Sequence, residues 1–482
     1  VFNNYGIIQK DIGNLKKAEI LQRKAIEIKL DYYSAHYNLG LILRDLGNFK
    51  ESESSLRNAL KLNPQDVKTN CDLGLTLYCL GNVKEAEVFL KKAIKINPNY
   101  AEAHSNLGVL HSDLGNLEEA EKSLRNAIDI NPHIAEINYN LAKVLQNLNN
   151  FDEAEIFFRN AIKVSPLNFK ANSELGLLFY SLGNLKEAEL FLRNALEIKP
   201  KDPETFSNLG VVLQDLDKFE EAESFFREGI KINPNYAECH SNLGSLLRHH
   251  GDLKEAEECL RKANKINPSS PEICSNLGIL LKDFGKLEEA ELFLRNAIKI
   301  KPNYAEALSN LGVVLVEINK FHEAESYFRD AIKINPNLSS ALCNLGNILI
   351  QLQNIEEAEI YLDKAIKIKP NYADAHFLQG VVFRCRGKLE ESKLSLQKAI
   401  QLKSDFAQAY YLLSTLSCAN KFDNEIWKNK LFSKDVLENI SLKDKVDVFF
   451  ARANILHNDK NYKESSKNLE LANKLKLELS PS

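Results

Sequence analysis

Apolar residues recur along most of the chain at the three- and four-residue spacing of an amphipathic helix. Within residues 101–134 they are Leu107, Leu110, Leu114, Leu117, Leu124, Ala127 and Ile130. Gly115-Asn116 interrupts the series, and glycine takes the left-handed conformation at a helix end at little cost. Asn131-Pro132 ends the second segment, because the residue before proline disfavours the helical region. The pattern therefore predicts two antiparallel helices, which we call helix A and helix B.

This pair recurs with a period of 34 residues. We number the positions of each repeat so that Ala101 is position 1 and Gly108 is position 8. Position 8 is glycine in eleven repeats and alanine in one: Gly6, Gly40, Gly74, Gly108, Ala142, Gly176, Gly210, Gly244, Gly278, Gly312, Gly346 and Gly380. One pair cannot bury its apolar face alone, so consecutive pairs must stack. The period predicts twelve repeats in residues 1–406, the first of them truncated.

Small residues at positions 8, 20 and 27, such as Gly108, Ala120 and Ala127, allow the helices to approach closely. Together with proline at position 32, as in Pro132, they resemble the tetratricopeptide repeat family. The resemblance covers residues 1–417. It implies an all-α fold, a right-handed superhelical solenoid of antiparallel helix pairs with the A helices lining its concave face.

The repeat pattern fails after Ser417. Residues 407–445 are expected to form an irregular helical connector, which contains the single tryptophan, Trp427. Residues 446–482 are expected to form a degenerate terminal helix pair. Its small and apolar residues keep the spacing of positions 8, 20, 24 and 27: Ala453, Ser465, Leu469 and Ala472.

Composition restricts the class of partner. A chain of 482 residues exceeds the roughly 250–300 residues of one core, which favours an array. The 62 basic and 66 acidic side chains give a net charge of −4, which argues against nucleic-acid binding. No apolar run approaches the ~20 residues of a membrane helix, and no signal peptide opens the chain. We therefore expect a cytoplasmic protein without a membrane or nucleic-acid partner. The absence of methionine suggests a fragment.

No residue pattern indicates catalysis, and we expect no enzyme, cofactor or metal within these residues. The eight cysteines form no C-x-x-C pair and are interpreted as buried apolar residues. The histidines at position 4 replace an aromatic residue and are interpreted as hydrogen-bonded, half-buried side chains. They are His36, His104, His240 and His376.

A polar stripe on helix A is the candidate site. Position 6 is asparagine in most repeats, and the predicted site takes Asn38, Asn106, Asn140, Asn208, Asn242, Asn276, Asn310 and Asn344. Position 13 lies two helical turns further on the same face. It contributes the acidic residues Asp45, Asp113, Asp215, Asp283 and Glu317. Asparagine is a mediocre helix former, so its recurrence in the middle of a helix requires a reason.

One reason is peptide recognition. A carboxamide both donates and accepts hydrogen bonds, so a row of them can bind successive main-chain amides of an extended segment. The acidic row would favour basic or hydroxyl side chains. The stripe resembles the asparagine ladder of O-linked N-acetylglucosamine transferases, which implies a grip on the backbone of a substrate protein. The alternative is that duplication copied the asparagine: residues 96–108 and 232–244 differ at one position.

Two functions are compatible with the sequence. The first is a non-catalytic scaffold that binds protein or peptide segments along the A helices. The second is the substrate-recognition arm of a larger transferase. Residues 441–476 resemble the segment that joins bacterial tetratricopeptide arrays to a sulfotransferase domain, through Ser441-Leu442, Phe450-Ala451, Tyr462 and Ala472-Asn473. That resemblance implies an additional catalytic domain using 3′-phosphoadenylyl sulfate. The asparagine row alone would suggest a glycosyltransferase, the weaker variant.

Overall fold

The structure, a computed structural model, describes residues 1–416, 426–438 and 440–479. Every regular element in these residues is helical. The chain divides into two compact units, Val1–Cys239 and His240–Ser482.

The first unit contains fourteen α-helices in its described residues, and a fifteenth begins in it. They are α1 (Phe2–Asp11), α2 (Leu15–Ile28), α3 (Tyr33–Asp45), α4 (Phe49–Leu62), α5 (Val67–Cys79), α6 (Val83–Ile96), α7 (Ala101–Asp113), α8 (Leu117–Ile130), α9 (Ala135–Asn147), α10 (Phe151–Val164), α11 (Phe169–Ser181), α12 (Leu185–Ile198), α13 (Pro203–Asp215), α14 (Phe219–Ile232) and α15 (Ala237–His250).

In the second unit the helices that follow α15 continue the alternation of A and B as far as α24, and a 3₁₀ helix at Asp435–Leu437 separates the last two from the rest. They are α16 (Leu253–Ile266), α17 (Pro271–Asp283), α18 (Leu287–Ile300), α19 (Ala305–Glu317), α20 (Phe321–Ile334), α21 (Ser339–Gln351), α22 (Ile355–Ile368), α23 (Ala373–Cys385), α24 (Leu389–Leu402), α25 (Ala407–Leu416), α26 (Ile426–Leu431), α27 (Leu442–Asn458) and α28 (Tyr462–Glu478).

Helices α7 and α8 illustrate how the sequence forms one pair. Leu110 and Leu124 are buried between the two helices. Gly115 takes a φ of +76°, which reverses the chain after α7, and its N–H donates to the carbonyl of Ser112 at 3.0 Å. Helix α8 ends at Ile130, and the next residue, Asn131, has extended backbone before the proline as predicted. The predicted all-α fold of antiparallel helix pairs is confirmed.

The small residue at position 8 is required by close packing. A Cβ atom on Gly108 would lie 2.6 Å from Cγ of Leu124 and 3.2 Å from the carbonyl oxygen of Ala120. Ala120 and Ala127 are themselves fully buried. Helix A can therefore approach helix B only because these side chains are absent or short.

Serine replaces alanine at position 20 in two repeats, and there its hydroxyl bonds across the pair. Ser52 Oγ donates to the carbonyl of Gly40 at 2.6 Å, and Ser392 Oγ donates to that of Gly380 at 2.7 Å. Ser465 Oγ makes the same bond, at 2.9 Å, to the carbonyl of Ala453. The contact between α27 and α28 thus repeats the geometry of the regular pairs.

The helical region 407–445 begins in register with the repeats, since Ala407 starts α25 at position 1. Trp427 and Leu431 of α26 are buried in a cluster with Tyr410, Val436 and Val448. Residues 417–425 of the predicted connector, including Cys418, lie outside the described residues. The bounds of the three sequence-defined regions stay a prediction.

Candidate functional site

The asparagines of position 6 lie on one face of the A helices, which we call the helix-A face and define by positions 2, 6, 9 and 13. The first unit contributes Asn38, Asn106, Asn140 and Asn208, and the second contributes Asn242, Asn276, Asn310 and Asn344. All eight are half-buried. Position 9, between the asparagine and acidic rows, is mostly aliphatic and half-buried, as at Val109 and Ile279.

Several of these asparagines bond to position 5 of the preceding A helix. Asn106 Nδ2 donates to Sγ of Cys71 at 3.3 Å, and Asn276 Nδ2 donates to Oγ of Ser241 at 3.2 Å. Asn38 Nδ2 likewise donates to Oδ1 of Asn3 at 3.0 Å. Each bond fixes the plane of the carboxamide. Position 5 therefore orients the candidate site, a role that the sequence pattern alone did not indicate.

At Asp72 an acidic residue occupies position 6, and there position 5 is the donor. Tyr37, at position 5, donates its hydroxyl to Oδ2 of Asp72 at 2.8 Å. Arg44 donates to the other carboxylate oxygen at 2.7 Å. Burial and the carboxylate together raise the pKa of Tyr37, so the phenol remains a donor.

The acidic residues of position 13 are exposed, and four of the five contact position 12 of the preceding A helix. Lys10 pairs with Asp45 at 3.3 Å, Tyr78 donates to Asp113, Tyr180 donates to Asp215 at 2.9 Å, and Arg248 pairs with Asp283 at 2.8 Å. Burial raises the pKa of Asp283, but hydrogen bonds from Arg248 and Lys282 outweigh it and hold that pKa below its usual value. No described residue bonds to the carboxylate of Glu317. Two of the five carboxylates are therefore paired with a cation of the chain, and two others accept a hydrogen bond from a tyrosine.

Three of the histidines at position 4 form a hydrogen bond with a main-chain carbonyl group. Nε2 of His36, His104 and His376 lies 2.9–3.0 Å from the carbonyl oxygen six residues earlier, in the loop that precedes helix A. Asn138 makes the same bond to Pro132 at 2.9 Å. These contacts agree with the interpretation of the histidines as hydrogen-bonded structural residues.

The B helices carry a row of ion pairs between consecutive repeats, which we call the helix-B ladder and which the sequence analysis did not identify. Arg125 pairs with Glu121 one turn earlier at 2.7 Å and with Glu153 of the next helix B at 2.8 Å. The arrangement recurs in both units at Arg23, Arg57, Arg193, Arg261, Arg295 and Arg329. The sequence signal was arginine four residues after glutamate in successive repeats.

The cysteines differ in exposure. Cys71, Cys239, Cys274 and Cys343 are buried, Cys259 is half-buried, and Cys79 and Cys385 are exposed. Burial raises the pKa of the Cys71, Cys239 and Cys343 thiols to about 12. Residues 1–416, 426–438 and 440–479 contain no group of three or more histidine, cysteine, aspartate or glutamate side chains arranged to hold a metal ion. None of the described helices is both long enough and apolar enough to cross a membrane.

Family profiles match the repeats that the period defines. Those described as "Tetratricopeptide repeat" match residues 1–32, 33–66, 101–134 and 135–166, and one described as "TPR repeat" matches 76–115. The helix pairs within these matched residues are tetratricopeptide repeats. A further profile, "Cilia and flagella-associated protein 70 C-terminal domain", matches residues 167–379. No curated protein matches the chain.

Solved structures share the tetratricopeptide fold. The structure titled "Crystal structure of APC/C hetero-tetramer Cut9-Hcn1" aligns over 86% of this chain and 95% of its own, with 13% identity and a TM-score of 0.51. PilF of Pseudomonas aeruginosa aligns over 43% of this chain and 95% of its own (21% identity, TM-score 0.39). YrrB, titled "a TPR protein with an unusual peptide-binding site", aligns over 38% and 95% (24% identity, TM-score 0.31). At 13% identity, the likeness to Cut9-Hcn1 shows the fold alone.

Proposed function

We propose that the tetratricopeptide repeats form a non-catalytic scaffold and that the helix-A face binds extended segments of partner proteins through its asparagine row. The oriented carboxamide of Asn276 is the observation that carries the proposal. Its Nδ2 is held by Ser241 at 3.2 Å, while no described residue bonds to its oxygen. One N–H and the oxygen are thus left for a main-chain carbonyl and a main-chain N–H.

The surroundings of the row support main-chain recognition. Half-buried aliphatic residues such as Val109 and Ile279 give an extended segment apolar surface beside the amides. The carboxylates of Asp45, Asp215 and Asp283 already have cationic or hydroxyl partners in the chain. In this proposal the acidic row forms a polar border, and the asparagine row supplies most of the binding free energy.

The test is selection of binding peptides before and after removal of the amides. A library of extended peptides about 15 residues long spans several A helices, since packed helices lie about 8–10 Å apart and a strand rises about 3.3 Å per residue. The full chain should enrich specific peptides. The variant Asn106→Ala, Asn208→Ala, Asn276→Ala, Asn310→Ala should bind them roughly tenfold or more weakly, because each hydrogen bond contributes about 0.5–1.5 kcal/mol.

A matched control removes four asparagines from helix B instead, at position 26: Asn126, Asn160, Asn194 and Asn296. The control variant should bind as the unaltered chain does, and both variants should keep the same helical circular dichroism. Peptides N-methylated at the contacted amides should lose binding. Equal binding by the two quadruple variants would refute the proposal.

A second candidate function, the substrate-recognition arm of a transferase, rests on the resemblance of residues 441–476 to the segment before a sulfotransferase domain. Ser441, at the start of that segment, caps α27 by accepting from the N–H of Asp444 at 3.1 Å. A mass for the natural protein that includes a further domain with a sulfate-donor loop would support this candidate. A mass near 54.6 kDa would refute it.

A further inference from the structure

A cavity of about 220 Å³ opens on the helix-A face beside the N-terminal turns of α9 and α11. It is lined by Glu136, Tyr139, Asn140, Asn168 and Lys170. Asn168 is already used, because its Oδ1 caps α11 by accepting from the N–H of Ala171 at 3.1 Å. The other four side chains form no hydrogen bond or ion pair with a described residue. The cavity therefore combines one anion, one cation, one hydroxyl and one carboxamide without internal partners.

A hydrogen bond that a tyrosine forms in an earlier repeat is missing beside this cavity. Tyr37 and Tyr139 both occupy position 5, and the next repeat has an acidic residue at position 6 in both cases. Tyr37 bonds to its carboxylate, that of Asp72, at 2.8 Å. At the second place no bond joins Tyr139 to Glu174, which pairs with Lys143 through Nζ and Oε2 at 2.9 Å.

The hydroxyl of Tyr139 is thus left for a ligand. Its ring packs against Phe158, with the centroids 5.9 Å apart, which fixes its position. Burial raises the pKa of Tyr139 to about 12, so the group is protonated and donates at neutral pH. Asn140, on the next position of α9, adds a carboxamide that both donates and accepts.

Charge around the cavity alternates along the helix-A face. Position 2 carries Glu136 on α9, Lys170 on α11 and Glu204 on α13, and all three side chains are exposed. None of the three forms an ion pair with a described residue. Successive packed helices lie about 8–10 Å apart, a distance that an extended chain covers in about three residues.

We propose that this part of the helix-A face binds an extended segment in which one acidic residue lies between two basic residues, at intervals of about three. The acidic side chain pairs with Lys170, the basic ones pair with Glu136 and Glu204, and the peptide unit between them bonds to Tyr139 and Asn140. Because the charge pattern is symmetric, it fits the segment in either chain direction. The proposal rests on the proposed function and adds the charge pattern of the partner.

The chain contains a matched control. Lys68 and Glu102 are also oppositely charged residues at position 2 of consecutive A helices, and both are exposed. There, however, the carboxamide of Asn106 is already bonded to Cys71 at 3.3 Å. Reversal of charge at Lys170 should therefore alter peptide selectivity, whereas reversal at Lys68 should not.

The experiment measures fluorescence anisotropy of labelled peptides with the full chain. The probe is acetyl-Gly-Lys-Ser-Gly-Glu-Ser-Gly-Lys-Gly-amide, and the comparison peptides have lysine or glutamine in place of glutamate. The unaltered chain should prefer the glutamate peptide by about fivefold. Lys170→Glu should prefer the lysine peptide, and Lys68→Glu should behave as the unaltered chain does. Circular dichroism checks that both variants fold.

Three outcomes would overturn the inference and separate it from the proposed function. Equal binding of the three peptides would refute the charge pattern. So would retention of the glutamate preference by Lys170→Glu. If none of the three binds while library-selected peptides bind, the charge pattern is wrong and the scaffold stands. If the library-selected peptides also bind equally to the asparagine variant and its control, the proposed function fails as well.

Discussion

Arg125 of one tetratricopeptide repeat and Glu153 of the next form an ion pair on helix B, with Nη1 2.8 Å from Oε1. The same guanidinium holds Glu121 on its own helix at 2.7 Å. The Arg125 side chain therefore connects the B helices of two consecutive repeats, whereas the asparagine row lies on the A helices. Repeats are thus joined by charge on helix B and by amide hydrogen bonds on helix A.

The coupling of Arg125 to Glu153 is measurable in a double-mutant cycle. Arg125→Ala and Glu153→Ala should show a coupling free energy of about 0.2–1 kcal/mol, as is usual for exposed pairs. The observable is the local opening free energy of α8 and α10 from native-state hydrogen exchange, because repeat arrays open locally. Arg159 and Glu187 are the control: Arg159 forms an ion pair with Glu155 but with no acidic residue of the next repeat among those described. Equal coupling free energies for Arg125 with Glu153 and for Arg159 with Glu187 would contradict an ion pair between repeats at Arg125.

The close approach at Gly108 predicts that a methyl group is destabilising there. Glycine to alanine inside a helix normally stabilises it by up to about 1 kcal/mol. Gly108→Ala should instead destabilise α7 and α8 by about 1–3 kcal/mol, because the new Cβ would lie 2.6 Å from Cγ of Leu124. Hydrogen exchange of these two helices measures the change. A gain in protection would show that the pair has space for the methyl group.

Cysteine exposure predicts selective alkylation. Iodoacetamide should modify Cys79 and Cys385 in the folded chain, because both are exposed. Cys71, Cys239 and Cys343 should react only after denaturation, since burial blocks access and raises their thiol pKa to about 12. Mass spectrometry of tryptic peptides distinguishes the two groups. Rapid native labelling of Cys71 would contradict the packing between the A helices around Asn106.

The carboxylates of helix B predict loss of stability in acid. Hydrogen bonds from Arg125, Arg261 and Arg329 hold the pKa of Glu153, Glu289 and Glu357 below the usual 4.5. A carboxyl whose pKa is lowered by folding stabilises the protein above its unfolded pKa, and the contribution disappears as pH falls through the folded pKa. The midpoint of thermal unfolding should change little through these groups between pH 7 and about pH 5, and should fall below about pH 4.5.

The arginines provide the control for that acid dependence. The variant Arg125→Ala, Arg261→Ala, Arg329→Ala removes the hydrogen bond that does most to lower the pKa of each carboxyl. Its melting temperature should be lower at pH 7 and should depend less on pH below 4.5 than that of the unaltered chain. Parallel pH profiles for the two proteins would show that other groups are responsible.

The helix pairs were predictable because short-range rules determine them. Gly115 ends helix A, Asn131-Pro132 ends helix B, and the small side chain of Gly108 sets the distance between them. Each feature depends on residues within one repeat, so the sequence period reveals it directly. Even Asn149, which replaces glycine at the turn, adopts a φ of +60°, as asparagine does more readily than most residues.

The candidate site was predictable only as a set of positions. The orientation of the Asn276 carboxamide depends on its hydrogen bond to Ser241, 35 residues earlier. The carboxylate of Asp215 accepts a hydrogen bond from Tyr180 at the same separation in sequence. Neither relationship follows from a helical pattern, because it requires the angle at which consecutive repeats stack. The pairing of Glu174 with Lys143, without a bond to Tyr139, likewise depends on how side chains of two consecutive repeats meet. The peptide-binding role of the row stays a prediction.

The ion pairs between consecutive B helices recur with the 34-residue period of the sequence, so most repeats contact their neighbours through the same positions. Deletion of residues 135–168 would bring Glu187 to the place where Arg125 now meets Glu153. A chain of this kind can lengthen or shorten by whole repeats through unequal recombination, since a new junction keeps the ion-pair positions in register. Under the proposed function, the length of partner segment that binds is set by the number of repeats, and we expect partner preference to change when the repeat that bears Lys170 is lost.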